Sequence, residues 1–104
     1  MLATLRTSLF GEEGAAEGFT GLFGLKPSFG RVPAWPLSPM GTVAHVGPMT
    51  RSVEDAALMM NVISLPDQRD WHSLPFDARD YRVGLDDGVR GLRIAYSADL
   101  GYAK

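Results

Sequence analysis

The amino-acid sequence predicts an α/β fold, and three observations support that prediction. An apolar segment of helical length lies in the middle of the chain, and a short stretch with β-branched residues precedes it. Near the end of the chain, apolar and polar residues alternate with the period of a strand. The composition, with 45% hydrophobic and 21% charged residues among 104, is that of an ordinary globular protein.

The first third of the chain divides into three stretches. MLATLRTSLF places Leu2, Leu5 and Leu9 at near-helical spacing, which predicts a short amphipathic helix. GEEGAAEG, residues 11–18, is small and acidic, and it predicts a loop. GFTGLFGLKPSFGRVP, residues 18–33, mixes glycines and prolines with large apolar side chains. Since a linker would lack the apolar residues and a regular helix would lack the glycines, this stretch predicts backbone packed closely against other backbone.

The central part of the chain carries the clearest helix. AWPLSPMG predicts an irregular segment, and TVAHVGPM predicts a short strand that ends near Gly47 and Pro48. TRSVEDAALMMNVIS then offers Ser52 as the N-cap, with Asp55 three residues on, and the helix is expected to end before Leu65 and Pro66. Apolar residues run nearly all the way round this helix, so we expect it to be buried on most sides.

The last third is a polar connection followed by a strand pattern. DQRDWHSLPFDARDYRVGLDDG has Trp71 and Leu74 as expected anchors, and Leu92, Ile94 and Tyr96 then alternate with polar or small residues. A helix that is apolar on nearly every side needs two layers of cover, but the flanking elements here are short and few. The sequence therefore resembles the middle of a larger protein.

Several classes of protein are disfavoured by composition. A net charge of −2 favours neither a nucleic-acid surface nor an anionic membrane. There is no cysteine, which excludes disulfides and thiolate metal sites. No apolar run approaches the roughly 20 residues of a transmembrane helix, and the first ten residues do not form a signal-peptide core. We therefore expect a cytoplasmic protein with no nucleic-acid or membrane partner.

Motifs for independent chemistry are weak in this sequence. His45 and His72 are far apart and have no neighbour at metal-ligand spacing, so we interpret them as ordinary loop or edge histidines. The chain has no G-x-S-x-G elbow, and GLFGLKPS lacks the spacing of a phosphate-binding loop. The adjacent pairs 12–13 and 86–87 are acidic, and they predict solvated turns because neighbouring side chains diverge.

Two further groups have both an ordinary and a functional interpretation. Lys26 could serve as a base if it were desolvated, but we favour a lysine whose charge holds a nearby carbonyl or carboxylate at a turn. Met59 and Met60 could be soft ligands or a plastic binding surface, and in an apolar helix they are more often core residues.

Two long motifs, in the right order, resemble the amidase signature family. Its members commonly read F-x-G-x-x-G-x-K-P-[ST]-x-G-R-V just after the nucleophile, and then G-P-[MF]-[TA]-R-[TS]-V-x-D-A-A before an apolar helix. DQRDWHSLP is similar to the family's D-x-x-D-x-x-S-x-P connection, and VRGLRIAYSADLGYA is similar to its next strand. The resemblance covers residues 18–104. The matching residues are Phe19, Gly21, Gly24, Lys26, Pro27, Ser28, Gly30, Arg31, Val32, Gly47, Pro48, Met49, Thr50, Arg51, Ser52, Val53, Asp55, Ala56 and Ala57.

The resemblance implies a large α/β/α fold of several hundred residues, in which helices cover a mixed central sheet. It also implies hydrolysis of the C–N bond of a small-molecule amide by a Ser-Ser-Lys triad. In such a triad a neutral lysine deprotonates a bridging serine, that serine activates the nucleophile, and backbone N–H groups stabilise the oxyanion. No metal or cofactor is implied.

The catalytic residues of the family have no counterpart in this chain. The family reads roughly G-G-S-I-R-x-P-A before F-x-G, and its nucleophile falls at Glu12 and its arginine at Gly14. Met1 to Phe10 has no G-G-S-S-G-G for the bridging serine, and the catalytic lysine would precede Met1. Lys26 matches the lysine of G-x-K-P, which is not the triad base. We therefore assign no catalytic, cofactor-binding or metal-binding residue.

The resemblance divides the chain into residues 1–17, a non-matching segment that is frame-shifted or disordered, and residues 18–104, a partial amidase domain. We expect the glycine-rich stretch to pack on the missing upstream region.

The function expected is that of an amidase fragment that is inactive alone. The alternatives are a non-catalytic remnant or binding partner of a split amidase, and a piece of one subunit of a glutamine-dependent amidotransferase. The expected partner is a complementing chain or a homo-oligomer, and an unrelated small α/β binding domain is the remaining alternative.

Overall fold

A computed structural model describes residues 3–9, by their backbone, together with residues 20–97 and 100–101. Three strands form one sheet: β1 (Ala3–Leu9), β2 (Phe23–Gly24) and β3 (Ala44–Thr50). β3 lies in the centre, in the order β1-β3-β2, and both pairings are antiparallel. A 3-10 turn, Gly41–Val43, precedes β3, and one α-helix, α1 (Val53–Ile63), follows it. The described residues thus combine a sheet with a packed helix, as an α/β fold requires.

The first element is a strand where the sequence predicted a helix. Ala3 pairs with Thr50 and Leu9 pairs with Ala44, so β1 lies along the whole length of β3. The helix prediction rested on three leucines at near-helical spacing, which is a weak local signal. The prediction is wrong because pairing with the neighbouring strand outweighs a weak local preference.

The strand predicted before the helix is confirmed, but it extends to Thr50 instead of ending near Gly47 and Pro48. Proline lacks an N–H and therefore cannot donate within a ladder. Its carbonyl remains available, and Pro48 O accepts a hydrogen bond from the Leu25 backbone N–H at 3.1 Å. The strand continues through Pro48 because only one donor is missing there.

The predicted N-cap of α1 is confirmed. Ser52 has an extended backbone, and its hydroxyl oxygen accepts a hydrogen bond from the Asp55 N–H at 3.1 Å. Glu54 and Asp55 lie in the first turn, where negative charge favours the helix dipole. The helix ends at Ile63, and the N–H of Ser64 donates to Met60 O.

The core lies between α1 and the sheet. Ala56, Ala57 and Met60 are buried on the inner face of the helix, which confirms Met60 as a core residue. On the sheet side, Met49 and Thr50 are buried. The expected burial of α1 on most sides is wrong for this chain: the outer face is open, and the apolar side chains of Leu58 and Val62 are exposed there. The sheet covers only one face of the helix.

The strand predicted over residues 92–96 does not form among the described residues. This part of the chain belongs to no ladder, and Leu92, Ile94 and Tyr96 are largely exposed. An alternating pattern becomes a strand only where another strand supplies donors and acceptors. The prediction is wrong here because the described part of the chain provides no such neighbour.

The close backbone packing predicted for residues 18–33 is confirmed, but its partner lies within this chain. A Cβ on Gly47 would overlap the Leu25 carbonyl oxygen and come within 3.0 Å of the Pro27 ring. The stretch therefore packs on β3 through Leu25 and Pro27, and the expectation that it also packs on a missing upstream region stays a prediction. Glycine is required at position 47 because the two backbones touch.

Candidate ligand pocket

A tight turn presents Phe29 to one side of the sheet. The Arg31 N–H donates to the Ser28 carbonyl at 3.0 Å, and Gly30, the third residue of the turn, has φ = +78°. A turn of this kind needs a left-handed residue at its third position, which favours glycine. A Cβ on Gly30 would also overlap the carbonyl oxygen of His72. Two independent constraints therefore select glycine here and fix the position of Phe29.

The ring of Phe29 contacts two imidazoles. Its centroid is 5.8 Å from that of His45, in an edge-on arrangement, and 5.1 Å from that of His72, in a tilted one. Such distances are typical of favourable aromatic contacts. Interpreting the two histidines as unrelated loop or edge residues missed this shared contact, because sequence distance does not reveal which loops meet. Among the described residues, no group of three His, Cys, Asp or Glu side chains could hold a metal ion.

Asp70 holds together the two loops that flank this ring. Its carboxylate is buried, and its two oxygens accept hydrogen bonds from the backbone N–H groups of Ala34 and His72, both at 2.9 Å. A buried carboxylate is stable when its acceptors are satisfied in this way. Sequence reasoning did not single out Asp70, although it is the second aspartate of the D-x-x-D-x-x-S-x-P motif.

The other polar residues of that motif close its loop. The Asp67 N–H donates to the Ser73 hydroxyl at 3.1 Å, and the Asp70 N–H donates to the Asp67 carbonyl at 3.1 Å. Arg69 forms a bidentate pair with the Asp67 carboxylate, and its hydrogen bonds lower the pKa of Asp67 to about 2. These residues therefore stabilise the loop and are not arranged as a catalytic group.

Two hydrogen bonds join this loop to the turn that carries Phe29. The Leu74 N–H donates to the Gly30 carbonyl at 2.9 Å, and the guanidinium of Arg31 donates to the Pro75 carbonyl at 3.2 Å. The predicted anchor Leu74 is half-buried, whereas Trp71 is 87% exposed and does not anchor the connection. The turn of the first signature motif and the D-x-x-D loop thus form one hydrogen-bonded corner.

This corner encloses a pocket of about 210 Å³, which we call the Phe29 pocket. Its wall is mainly apolar, with a few hydroxyl and imidazole groups. Asp70 is the one charged side chain that lines it among the described residues, and both of its oxygens already accept hydrogen bonds. The lining residues are Pro27, Ser28, Phe29, Gly30, Val32, Ala34, Pro36, Leu37, Ser38, Gly41, Ala44, His45, Val46, Asp70 and His72.

Lys26 lies outside this pocket. It is exposed, and within the part of the chain that the structure describes it has no hydrogen bond or ion pair. Among the described residues, no carbonyl or carboxylate is held by its charge, and the interpretation of Lys26 stays a prediction. The backbone of Leu25 and Gly30, on either side of the lysine, makes hydrogen bonds to other segments instead.

The acidic pair 86–87 lies in an exposed turn, as predicted. The pair 12–13 lies outside the described residues.

A second polar junction follows α1. The amide of Asn61 donates to the Asp80 carboxylate at 2.6 Å and accepts from the Tyr81 N–H at 2.9 Å. Hydrogen bonds from Arg82 hold the pKa of Asp80 well below its usual range. Beyond this junction, the backbone hydrogen bonds of the described chain up to residue 97 close local turns.

Within the described ranges, no helix has the length and apolar character needed to cross a membrane.

Comparison with known proteins agrees with the motifs. The model of the family described as Amidase matches residues 18–104. The A subunit of the glutamyl-tRNA(Gln) amidotransferase from Salinibacter ruber is 50% identical over 82 residues, which cover 73% of this chain and 15% of that protein. Proteins of the same name from Ligilactobacillus salivarius and a Synechococcus strain are 38% and 37% identical, over 91% and 99% of this chain.

The chain spans about a fifth or less of the length of these relatives, from 15% to 21%. The alignment with the Synechococcus protein extends over nearly the whole chain, and therefore reaches into residues 1–17, whereas the family match begins at residue 18.

Proposed function

The chain belongs to the amidase family, and we propose that it is part of an enzyme that hydrolyses the C–N bond of a carboxamide. The match of residues 18–104 carries this proposal. In the reaction implied by the family, the serine oxygen attacks the carbonyl carbon, the C–N bond breaks, and the nitrogen leaves with a proton. Water then hydrolyses the acyl-serine intermediate. The larger α/β/α fold with a mixed central sheet belongs to the same proposal, since the described sheet supplies only antiparallel pairs.

We propose further that this chain does not hydrolyse amides on its own. The resemblance puts Glu12 at the position of the nucleophile and Gly14 at that of the arginine. A glutamate in place of serine cannot enter a Ser-Ser-Lys relay, which depends on a hydroxyl that loses its proton as it attacks. The chain would thus contribute the corner behind the catalytic loop without contributing the triad.

Within the family, we propose that this chain belongs to the amidotransferase branch. The three relatives compared with this chain are named as the A subunit of glutamyl-tRNA(Gln) amidotransferase, and the word subunit indicates that those proteins work with other chains. We propose that this chain likewise acts with a complementing polypeptide. A cytoplasmic location belongs to this proposal, because the relatives are named for a reaction on tRNA.

A non-catalytic binding remnant is the second candidate, and a specific observation favours it. The outer face of α1 and the alternating residues of the last third are apolar and exposed. Exposed apolar side chains that lie close together on one surface are typical of a protein–protein contact, and each of these two groups is a candidate for one. A complementing chain of a split amidase would cover it, and so would a second copy of this chain in a homo-oligomer.

The division of the chain at residue 18 stays a proposal. The family match starts there, yet residues 3–9 form β1 in the same sheet as β2 and β3. Translating all three reading frames upstream of the Gly18 codon tests the frame-shift hypothesis. A frame that reads G-G-S-I-R-x-P next to Gly18 supports a frame break, and its absence supports a genuine divergent segment.

Two chimeras of the Salinibacter ruber relative test the proposed function. In the first, residues 18–104 of this chain replace the matching segment, so that the relative keeps its own catalytic loop. We expect amidotransferase activity within about tenfold of the relative, because 50% identity preserves the packed corner. In the second, residues 1–104 replace a longer segment of the relative, which ends at the same position and begins upstream of its catalytic loop. We expect a loss of at least about a thousandfold, because the nucleophile position then carries glutamate.

The substitution Glu12→Ser in the second chimera is the matched control. Any recovery of activity would show that this position is the nucleophile's. An inactive first chimera that retains the circular dichroism spectrum of the relative would contradict the proposal that residues 18–104 are a functional amidase segment. An active second chimera without the substitution would contradict the proposed loss of catalysis.

A further inference from the structure

We propose that a second cleft, which we call the Lys26 cleft, binds a small organic phosphate monoester. The cleft has a volume of about 400 Å³, and Lys26, Arg31 and Arg79 line it together with one carboxylate, that of Asp77. The proposal goes beyond the proposed function and does not rest on it, since it involves neither the catalytic positions of the family nor residues 1–17.

Three separate segments bring the positive side chains to this cleft. Lys26 comes two residues after β2, and Arg31 directly follows the tight turn that carries the Phe29 ring. Arg79 precedes the Asp80 junction with the helix. Hydrogen bonds join each of these segments to another part of the chain, so the three positive charges converge on one site.

The cleft is positively charged although the whole chain has a net charge of −2. Among the described residues that line it, three side chains are positive and one is negative, which gives a net charge of +2. Asp77 is engaged by Arg79: Asp77 Oδ1 accepts a hydrogen bond from the Arg79 backbone N–H at 3.1 Å, and Asp77 Oδ2 lies 3.7 Å from Arg79 Nε. Lys26 and Arg31 pair with no carboxylate of the described chain.

The hydrogen-bond donors suit a phosphate group. The ammonium group of Lys26 makes no hydrogen bond within the described residues, and the guanidinium of Arg31 donates to one neutral group, the Pro75 carbonyl, at 3.2 Å. Ser28 and Tyr81 also line the cleft and carry hydroxyl groups. A phosphate monoester has a charge of about −1.5 to −2 and three acceptor oxygens, so it matches this set better than a carboxylate with a single charge.

The remaining lining residues favour an organic group on the phosphate. Leu25, Met60 and Leu74 give the cleft an apolar part, in which Met60 is buried and the two leucines are half-buried. About 400 Å³ corresponds to roughly thirteen water molecules at about 30 Å³ each, which leaves room beside a phosphate for one small apolar group. Burying that group against the leucines adds to the attraction between the opposite charges.

Nuclear magnetic resonance of the full ¹⁵N-labelled chain tests the proposal, with phenyl phosphate as the probe. At a pH of about 7.5 and constant ionic strength, we expect it to shift the amide signals of Lys26, Arg31 and Tyr81 with a dissociation constant on the order of 1 mM. Benzoate, with a single charge, and phenol, with none, should bind at least about fivefold more weakly. Equal binding of the three compounds would overturn the proposal, as would phenyl phosphate shifts confined to residues 92–96.

The substitution Lys26→Gln removes one positive charge from the cleft. It should weaken phenyl phosphate binding at least about fivefold, and Lys26→Arg should retain binding. Lys26 is exposed and makes no hydrogen bond or ion pair in the described chain, so both variants should fold. Arg93→Gln is the matched control, because it removes the same charge from an exposed residue that does not line the cleft. Equal binding by Lys26→Gln and Arg93→Gln would overturn the proposal.

The substitution Asp77→Asn tests the same charge balance in the opposite direction. It removes the one carboxylate that lines the cleft among the described residues, and the amide oxygen can still accept from the Arg79 N–H. We expect phenyl phosphate to bind at least about threefold more tightly. Asp86→Asn, which removes the same charge from an exposed turn, should leave the affinity unchanged. Equal affinities in these two variants would contradict the assignment of the ligand to this cleft.

Discussion

Two regions of this chain have similarly apolar sequences but very different environments. In residues 22–75, which we call the anchored region, β2 and β3 pair, α1 covers them, and hydrogen bonds join the Phe29 turn to the loop around Asp70. In residues 83–97, the C-terminal segment, the hydrogen bonds between backbone groups are local turns. The exposed fraction of Met60 is 1%, and that of Ile94 is 74%.

The contrast shows what an apolar pattern can and cannot predict. The pattern identifies which side chains would lie on a common face, but burial depends on whether another element is present to cover that face. β3 has strands on both sides, and its last residues are core. The C-terminal segment has the same type of pattern without a neighbour in the described chain. Among the described residues it therefore forms no strand.

The largest expected effect comes from Gly47→Val in the anchored region. The added side chain would overlap the Leu25 carbonyl and the Pro27 ring, and backbone cannot move away cheaply. We expect the free energy of unfolding to fall by at least about 3 kcal/mol, measured by urea denaturation. Gly91→Ala is the control in the C-terminal segment, where a Cβ meets open space and only the left-handed backbone is strained. Gly91→Ala should lower the free energy of unfolding by about 1 kcal/mol. Equal losses would contradict the contrast between the regions.

Asp70→Ala should have the next largest effect. The substitution leaves the N–H groups of Ala34 and His72 without their acceptor in a partly buried site. We expect the free energy of unfolding to fall by about 2–4 kcal/mol, because the two N–H donors stay buried without an acceptor and so pay their desolvation cost. Asp86→Ala, at an exposed turn of the C-terminal segment, should change stability by less than about 0.5 kcal/mol. Thermal unfolding followed by circular dichroism measures both. A loss at Asp70 no larger than the one at Asp86 would show that the loop is not held by this carboxylate.

Ser52→Ala should cost about 1 kcal/mol, because α1 would lose the hydrogen bond between the serine hydroxyl and the Asp55 N–H. Ser64→Ala at the other end of the same helix is the matched control. The contact of Ser64 with Met60 O is made by its backbone N–H, which alanine retains. Urea denaturation compares the two variants. If they are equally stable, the cap contributes nothing measurable.

The smallest effect is a pH dependence at the edge of the Asp70 loop. Hydrogen bonds from Arg69 lower the pKa of Asp67 to about 2, from an ordinary value of 3.8. A lowered pKa contributes stability above the ordinary value, and this contribution is lost as the pH falls from about 4 to about 2. The pair is exposed, so the change in stability should be small. Carboxyl ¹³C titration measures the pKa directly, and Arg69→Gln should raise it. An unchanged pKa in that variant would exclude Arg69 as the cause.

The sequence predicted local features better than contacts between distant segments. The cap at Ser52, the extent of α1 and the strand before it depend on neighbouring residues, and all three were predicted. The meeting of His45 with His72 on Phe29 depends on how two loops fold back, and sequence spacing contains no such information. The motif identified the family, but the structural role of Asp70 emerged only from its two hydrogen bonds.

The two errors in secondary structure have one physical cause in common. Three leucines near the start suggested a helix, and the pairing groups of β3 select a strand there instead. Alternation near the end suggested a strand, and no described neighbour pairs with it. In both places, hydrogen bonding to another element decided between helix, strand and neither.

Amide hydrogen exchange of the full chain tests the contrast most directly, since backbone protection reports where stable hydrogen-bonded structure exists. We expect slow exchange for the amides of Leu25, Met60 and Leu74, which donate to, or lie within, the paired and packed elements. Fast exchange is expected for the amides of residues 93–95. Protection of these last three amides at the level of Met60 would contradict the claim that the C-terminal segment pairs with no other element of the described chain.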